Sequence, residues 1–132
     1  MVSHFDKVKK FLFELGFDIQ SEDTEEGIVV ITDEDQGISH LIIDCEGEIL
    51  VFEQFIFKLK SPDDSSVLKK LLQINRNLVH GALVLDEEDR VIFRDTLQLE
   101  NMDQNEIEAT INSIGLMMAE YASDFLKFAK IS

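Results

Sequence analysis

One cysteine, one proline and no tryptophan stand in 132 residues, and each shortage removes a class of protein. A lone Cys45 rules out an internal disulfide, so nothing here reads as a stapled scaffold and the chain suits a reducing cytoplasm. The single Pro62 and six glycines leave no low-complexity stretch and no long linker. The whole span 1–132 is therefore expected to form one domain, a length that buries most of the surface an unfolded chain exposes. Uninterrupted apolar runs are missing too. None approaches the roughly 20 residues that cross a bilayer, and the opening MVSHFDKVKKFLFELGF lacks the apolar core and small-residue cleavage site of a signal peptide.

Positive charge is also scarce. Twelve Lys and Arg face 27 Asp and Glu, a net charge of −15. That field repels phosphate backbones and anionic headgroups, so neither nucleic acid nor a membrane surface is an expected partner. Acid is spread unevenly. Residues 21–64 hold 13 acidic residues against Lys58 and Lys60, whereas residues 65–76 hold Lys69, Lys70 and Arg76 and no acid.

The remainder has globular composition, 45% hydrophobic, and its patterning alternates between two periods. Phe5, Val8, Leu12 and Leu15 mark one face of a helix over His4–Leu15. Ser3 is the expected N-cap with Asp6 completing a capping box, and Gly16 is the stop; Phe11 and Phe13 lie off that face. Three strands follow at Gly27–Thr32, Ile38–Asp44 and Ile49–Leu59, rich in β-branched and aromatic residues and split by turn residues. Phe17-Asp18-Ile19 is a candidate short leading strand. In the long strand, strict alternation puts Phe52 and Ile56 on one side and Phe55 and Phe57 on the other. Ser61-Pro62-Asp63-Asp64 starts a second helix, with Ser61 as the cap and both carboxylates at the positive end of its dipole. Its stripe is Val67, Leu68, Leu71, Leu72 and Ile74. A hairpin, Ala82–Leu85 and Val91–Leu97, surrounds the acidic turn Asp86–Asp89. The last helix begins with Asp103 and Glu106 as a capping box and Met102 stapled onto Ile107. Its seam runs Ile107, Ile111, Ile114, Met118, Tyr121, Phe125, Phe128, with Leu116 and Met117 beside it as exposed contact candidates. Gly115, in mid-helix, fits either a close approach by another backbone or simple tolerance. The order αβββαββα, with no βαβ alternation, implies an α+β fold: a twisted antiparallel sheet with helices packed on it.

Chemistry-bearing residues do not converge in this sequence. His4, His40 and His80 fall in three separate elements without metal-ligand spacing. Cys45 sits between Asp44 and Glu46, which oppose thiolate formation. Asp33 and Asp35 have the spacing of a calcium loop, but Gly37 falls at the fifth place and Asp44 at the twelfth. No residue is assigned a catalytic, cofactor-binding or metal-ligating role, and no cofactor is called for. Binding of another protein is the function this leaves.

Leu71-Leu-Gln-Ile-Asn-Arg-Asn-Leu78, Gly81-Ala-Leu-Val-Leu-Asp86, Arg90-Val-Ile-Phe-Arg94 and Leu97-Gln-Leu-Glu100 resemble the YbjN family of bacterial sensory-transduction regulators. The pattern is similar in Tir-type chaperones of type III secretion. In both, a helix ending in Leu-x-x-Asn leads into a hairpin with an aspartate-bearing turn and then a long amphipathic helix. The resemblance covers about residues 62–128. It implies three helices around a twisted antiparallel sheet and, for the secretion chaperones, a small acidic cytoplasmic homodimer that holds a non-globular segment of a partner. The alternatives are a regulatory domain that binds a folded signalling partner and an enzyme with an unrecognised carboxylate site. A homodimer is expected on physical grounds as well. The helix 65–76 lacks acid, and the strand 49–59 is apolar on both faces, so one of them is expected to meet a second copy.

Overall fold

The computed structural model describes residues 3–131. Helix α1 (His4–Glu14) starts at Ser3, whose Oγ accepts from the Asp6 amide at 3.1 Å. Asp6 pairs instead with Lys9 at 3.8 Å, so only half of the expected capping box forms. Gly16, at φ +88°, closes the helix: its amide donates to Phe13 O at 3.0 Å and that of Phe17 to Leu12 O at 2.9 Å.

Four strands follow in a meander: β1 (Ile19–Asp23), β2 (Ile28–Asp33), β3 (Ile38–Glu46) and β4 (Ile49–Lys58). The leading strand thus exists, but it begins where Phe17–Ile19 was expected to end. Its residues beyond Ile19 are exposed and polar, an edge strand held by its ladder to β2, which period-2 hydrophobicity cannot reveal. A 3-10 turn (Glu34–Gln36) joins β2 to β3. Helix α2 (Ser65–Asn75), the hairpin β5 (Ala82–Leu85) and β6 (Arg90–Gln98), and the long α3 (Gln104–Phe128) complete the order. The six strands lie β1-β2-β3-β4-β6-β5, every pair antiparallel.

Three expectations are corrected. Helix α2 is capped by Asp64, not Ser61: Asp64 Oδ1 accepts from the Ser66 amide at 3.0 Å and the Val67 amide at 3.4 Å. Ser61 to Asp64 form a turn before the helix, closed by Asp64 N–H donating to Ser61 O at 3.1 Å. Strand β4 carries a bulge between Phe55 and Phe57 in its pairing with β6. The extra residue flips the alternation, so Phe52 and Phe57 both enter the core while Phe55 points outward. In α3 the buried line runs through Met117, which is 1% exposed; Met118 is half-buried against the core, and of the two contact candidates only Leu116 is exposed. At 3.6 residues per turn, steps of three and of four both return near one face, so Met117 takes the buried place at this turn while Tyr121 and Phe125 keep theirs.

One face of the sheet carries the core. Leu41, Ile43, Leu50, Phe52 and Phe93 meet Val8 and Leu12 of α1, Leu71 and Ile74 of α2, and Ile107, Ile111 and Ile114 of α3. Phe57 stacks on Phe125 with centroids 5.4 Å apart. The expected α3 cap is complete, with Asp103 and Glu106 each bonded to the other's amide. Where β3 separates from β4, the buried Gln54 fills the gap. Its Oε1 accepts from Ser39 N–H and its Nε2 donates to Gly37 O, both at 3.1 Å.

Gly115 has a reason of the first kind. A Cβ there would stand 2.8 Å from the carbonyl oxygen of Gln36, because α3 crosses directly over the 3-10 turn. Gly115→Ala should gain helix propensity of about 1 kcal/mol but force two backbones apart, and overpacking costs about 1–3 kcal/mol. A net loss of up to about 2 kcal/mol is expected from those two values in urea unfolding; a higher midpoint would show that the crossing is loose.

Candidate functional site

The histidines stay apart, as their positions in the sequence imply. His4 opens α1, and His40 lies exposed in β3 at φ +49°. There the β2–β3 register slips between Ile31 and Asp33, and the His40 amide donates to Thr32 Oγ1 at 3.0 Å. His80 is held through its backbone, which receives a bond from Ser113 Oγ at 2.7 Å and donates one back at 3.2 Å. Burial, and after it the Asp44 carboxylate, push the Cys45 thiol above its usual range, so charge on the sulfur is disfavoured at neutral pH. The Asp86–Asp89 run organises its own turn. Asp86 accepts from the amides of Glu88 and Arg90, each at 2.9 Å, and from Arg90 Nε at 2.7 Å. These bonds hold its carboxyl below the usual range. Among the described residues no group of three His, Cys, Asp or Glu could hold a metal ion.

What the fold does assemble is apolar surface, in two places. The first lies between α2 and the hairpin. Helix α2 runs alongside the outer edge of β5, the last strand of the sheet, and Asn75 joins the two. Its Oδ1 accepts from Leu83 N–H at 2.6 Å and its Nδ2 donates to Leu83 O at 3.1 Å. Both edge-facing groups of Leu83 are thereby satisfied by one carboxamide, as a neighbouring strand would satisfy them. Leu68, Leu71, Leu72, Leu83, Val84 and Leu85 line the groove, of about 220 Å³, that this contact leaves open. Leu72, 72% exposed, stands at its lip between Lys69 and Arg76, one helical turn away on either side. Neither cation makes an ion pair among the described residues.

The second surface is the face of the sheet turned away from the helices. The registers place Val30, Ile42, Glu53 and Arg94 in one row across β2, β3, β4 and β6. Ile28, Asp44, Val51 and Thr96 form the next. Phe55, Ile92 and Val84 make a third across β4, β6 and β5. Phe55 is 55% exposed and Ile42 43%. Val51 is only 2% exposed yet lies outside the core cluster, so its neighbours on this open face are what cover it. Acid collects at the β1–β3 side. Partial burial, then Glu46, Glu26 and Glu53 in that order, raise the Asp44 carboxyl above its usual range.

That shift gives a stability test with a definite sign. A carboxyl whose folded pKa lies above its unfolded one stabilises the fold only while protonated, and opposes it once pH passes the raised value. Asp44→Asn should therefore be more stable than the parent at neutral pH. The difference should shrink as pH falls through the raised value and vanish below the ordinary carboxylate range. Thermal midpoints from pH 3 to 8 would check it; a variant less stable at pH 7 would contradict it.

The model of the CesT_Tir_1 family, a family of type III secretion chaperones, matches residues 1–131. The chain belongs to that family. No curated protein matches it in sequence. Among solved structures, YbjN of Escherichia coli superposes with a TM-score of 0.73 at 13% identity, covering 100% of this chain and 99% of that one. The heterodimeric ExoU–SpcU complex of the Pseudomonas aeruginosa type III secretion system gives 0.68 at 14%, covering 88% and 95%. The Yersinia pestis type III secretion chaperone SycH, in complex with a stable fragment of YscM2, gives 0.59 at 15%, covering 96% and 100%. At such identities the likeness establishes the CesT_Tir_1 fold.

Of the surfaces a CesT_Tir_1 chain could use, sequence reasoning found α2 and the long strand but missed Asn75 and the open face as a unit. The Leu-x-x-Asn pattern was visible, yet a side chain that bonds a strand edge eight residues later leaves no period to detect. The open face draws on five strands, which only the registers bring together.

Proposed function

We propose that this chain is a non-enzymatic, chaperone- or adaptor-like protein of the cytoplasm that holds a non-globular segment of a partner protein. The observation that carries this reading is the pairing of a −15 chain with exposed apolar surface in two places, the α2–β5 groove and the open sheet face. Such a surface is costly to leave in water and marks an interaction site, while the surrounding acid keeps the chain soluble and repels non-specific partners. Family membership supports the same class of function. In this reading the chain works as a homodimer joined through α2 and not β4: α2 is the stretch where two copies approach without meeting each other's carboxylates, whereas β4 is an interior strand whose open face carries Glu53 beside Asp44.

Two measurements test the reading. Tagged protein is used to capture partners from a bacterial lysate, and limited proteolysis maps what is held. A protected segment without stable structure of its own is expected; capture only of folded domains would favour the regulatory alternative. Sedimentation equilibrium at micromolar concentration and moderate salt, where net-charge repulsion is screened, is expected to give a dimer. A strict monomer would remove the dimer from the proposal.

A further inference from the structure

The open sheet face carries features that specify an occupant. Its backbone groups are committed to ladders, since the five strands β2, β3, β4, β6 and β5 are each hydrogen-bonded to their neighbours. The face therefore offers side chains and little backbone, unlike a sheet edge. An occupant must satisfy its own peptide groups, which a helix does and an extended segment does not.

Apolar groups cross the face in a diagonal stripe: Val30 on β2, Ile42 on β3, Phe55 on β4, Ile92 on β6 and Val84 on β5. Five strands at a spacing of about 4.8 Å span roughly 19 Å, and a helix of about 14 residues is roughly 21 Å long. The length of the stripe thus suits one short helix laid across it. Its chemistry is apolar but flanked by acid. Asp23 and Asp44 share one row with Ile28, Glu53 lies in the next, and Glu26 and Glu46 act on Asp44 from beside it. Arg94, 4.0 Å from Glu53, is the cation within the rows; Lys58 and Arg90 stand beyond Phe55 at the far end of β4, where Asp86 and Glu88 engage Arg90. A second copy would bring another set of carboxylates against these, whereas lysine or arginine beside the apolar residues of a partner would meet them favourably.

We propose that the open sheet face, centred on Ile42, Phe55 and Ile92, is the docking surface for a basic amphipathic helical segment of a partner protein. The proposal rests on the chaperone reading above and adds to it the surface and the chemistry of the held segment.

The test uses two synthetic peptides of about 14 residues, the length set by the helical rise. One has leucine on one face and lysine on the other; its counterpart has glutamate for lysine. At moderate salt the leucine–lysine peptide should bind and become helical, with amide shifts confined to Ile42, Phe55, Ile92 and their neighbours. The leucine–glutamate peptide should not bind. Phe55→Ser and Asp44→Asn should each weaken binding, the first by roughly tenfold or more, as expected of an interface hot spot. Phe55 and Asp44 lie outside the core cluster, so both variants should fold. Leu72→Ser and Phe13→Ser, which change apolar side chains elsewhere, should leave binding intact.

Loss of binding in Leu72→Ser with retention in Phe55→Ser would overturn the proposal, as would equal binding of both peptides. A wild-type dimer that Phe55→Ser converts to monomer would overturn it in favour of a second copy on this face. If Phe55→Ser still holds the partner segment captured from lysate, the surface is wrong and the chaperone reading stands. If the peptide docks on the open face but no segment is ever captured, the surface is right and the chaperone reading fails.

Discussion

Truncating Ile111 to alanine is expected to lower the free energy of unfolding by about 2–5 kcal/mol, whereas Leu116→Ala, five residues along the same helix, should change it by no more than about 0.5 kcal/mol. Ile111 is 1% exposed and sits about two turns into α3, between Ile107 and Ile114 over the sheet. Its removal takes apolar atoms out of a filled space and leaves a cavity that a helix pinned at both ends cannot close. Those pins are visible. The capping box fixes the start. Thr110 Oγ1 donates to Asp95 at 2.8 Å, and Ser113 bonds the His80 backbone. Beyond the helix, Lys60 N–H donates to Phe128 O at 3.0 Å and Lys130 N–H to Lys58 O at 2.8 Å. Urea unfolding of the two variants decides the matter. A loss under about 1 kcal/mol for Ile111→Ala, below the range for buried aliphatic truncation, would mean that α3 does not pack as tightly as its burial implies.

The pair also marks how far the sequence could be read. The seam of α3 was legible because a long helix repeats its signal many times, and an error of one position at Met117 and Met118 does not move the rest. Element order was legible for the same reason: strong strands, two helix starts and polar turns each carry their own chemistry. Three features failed, each through a contact that the hydrophobic pattern does not record. The cap of α2 went to Asp64 because the turn of Ser61–Asp64 closes first. The bulge in β4 depends on how β6 registers against it, and it parted Phe55 from Phe57, which strict alternation had placed on one face. Strand β1 beyond Ile19 has no hydrophobic pattern and exists because β2 offers it a ladder.

The candidate surfaces were half legible. That Lys69 and Arg76 flank an exposed Leu72 was not legible, whereas absence of acid from 65–76 is a one-dimensional property and was. That β4 has apolar residues to spare was equally plain. Which of them reach water was not, since Phe52 and Phe57 vanish into the core and Phe55 alone of the three emerges. The acidic flank around Asp44 joins residues from the β1–β2 turn, β3 and β4, a grouping that a linear count of charge spreads over 28 positions, from Glu26 to Glu53.

Replacing Asn75 with leucine should both destabilise the chain and loosen the α2–β5 groove. The carboxamide makes two bonds with one residue of the edge strand, Leu83, which is itself buried. Leucine of similar size leaves the Leu83 amide and carbonyl without partners in a setting that water reaches poorly, and each unsatisfied buried group costs about 1–3 kcal/mol. A loss of roughly 2–4 kcal/mol is expected on that basis. Asn75→Asp separates the two bonds: it keeps the acceptor for Leu83 N–H, removes the donor to Leu83 O, and sets a charge against that carbonyl. Its loss should be of similar size at neutral pH and should ease as acid protonates the carboxyl and restores a donor. Hydrogen exchange supplies the readout that separates an anchoring role from general packing. In Asn75→Leu the Leu83 amide should exchange faster, relative to global unfolding, than in the parent, while core amides such as that of Phe93 keep their relation to it. Equal protection of Leu83 in parent and variant would show that α2 holds the edge of β5 by its apolar contacts alone, without the side-chain bridge.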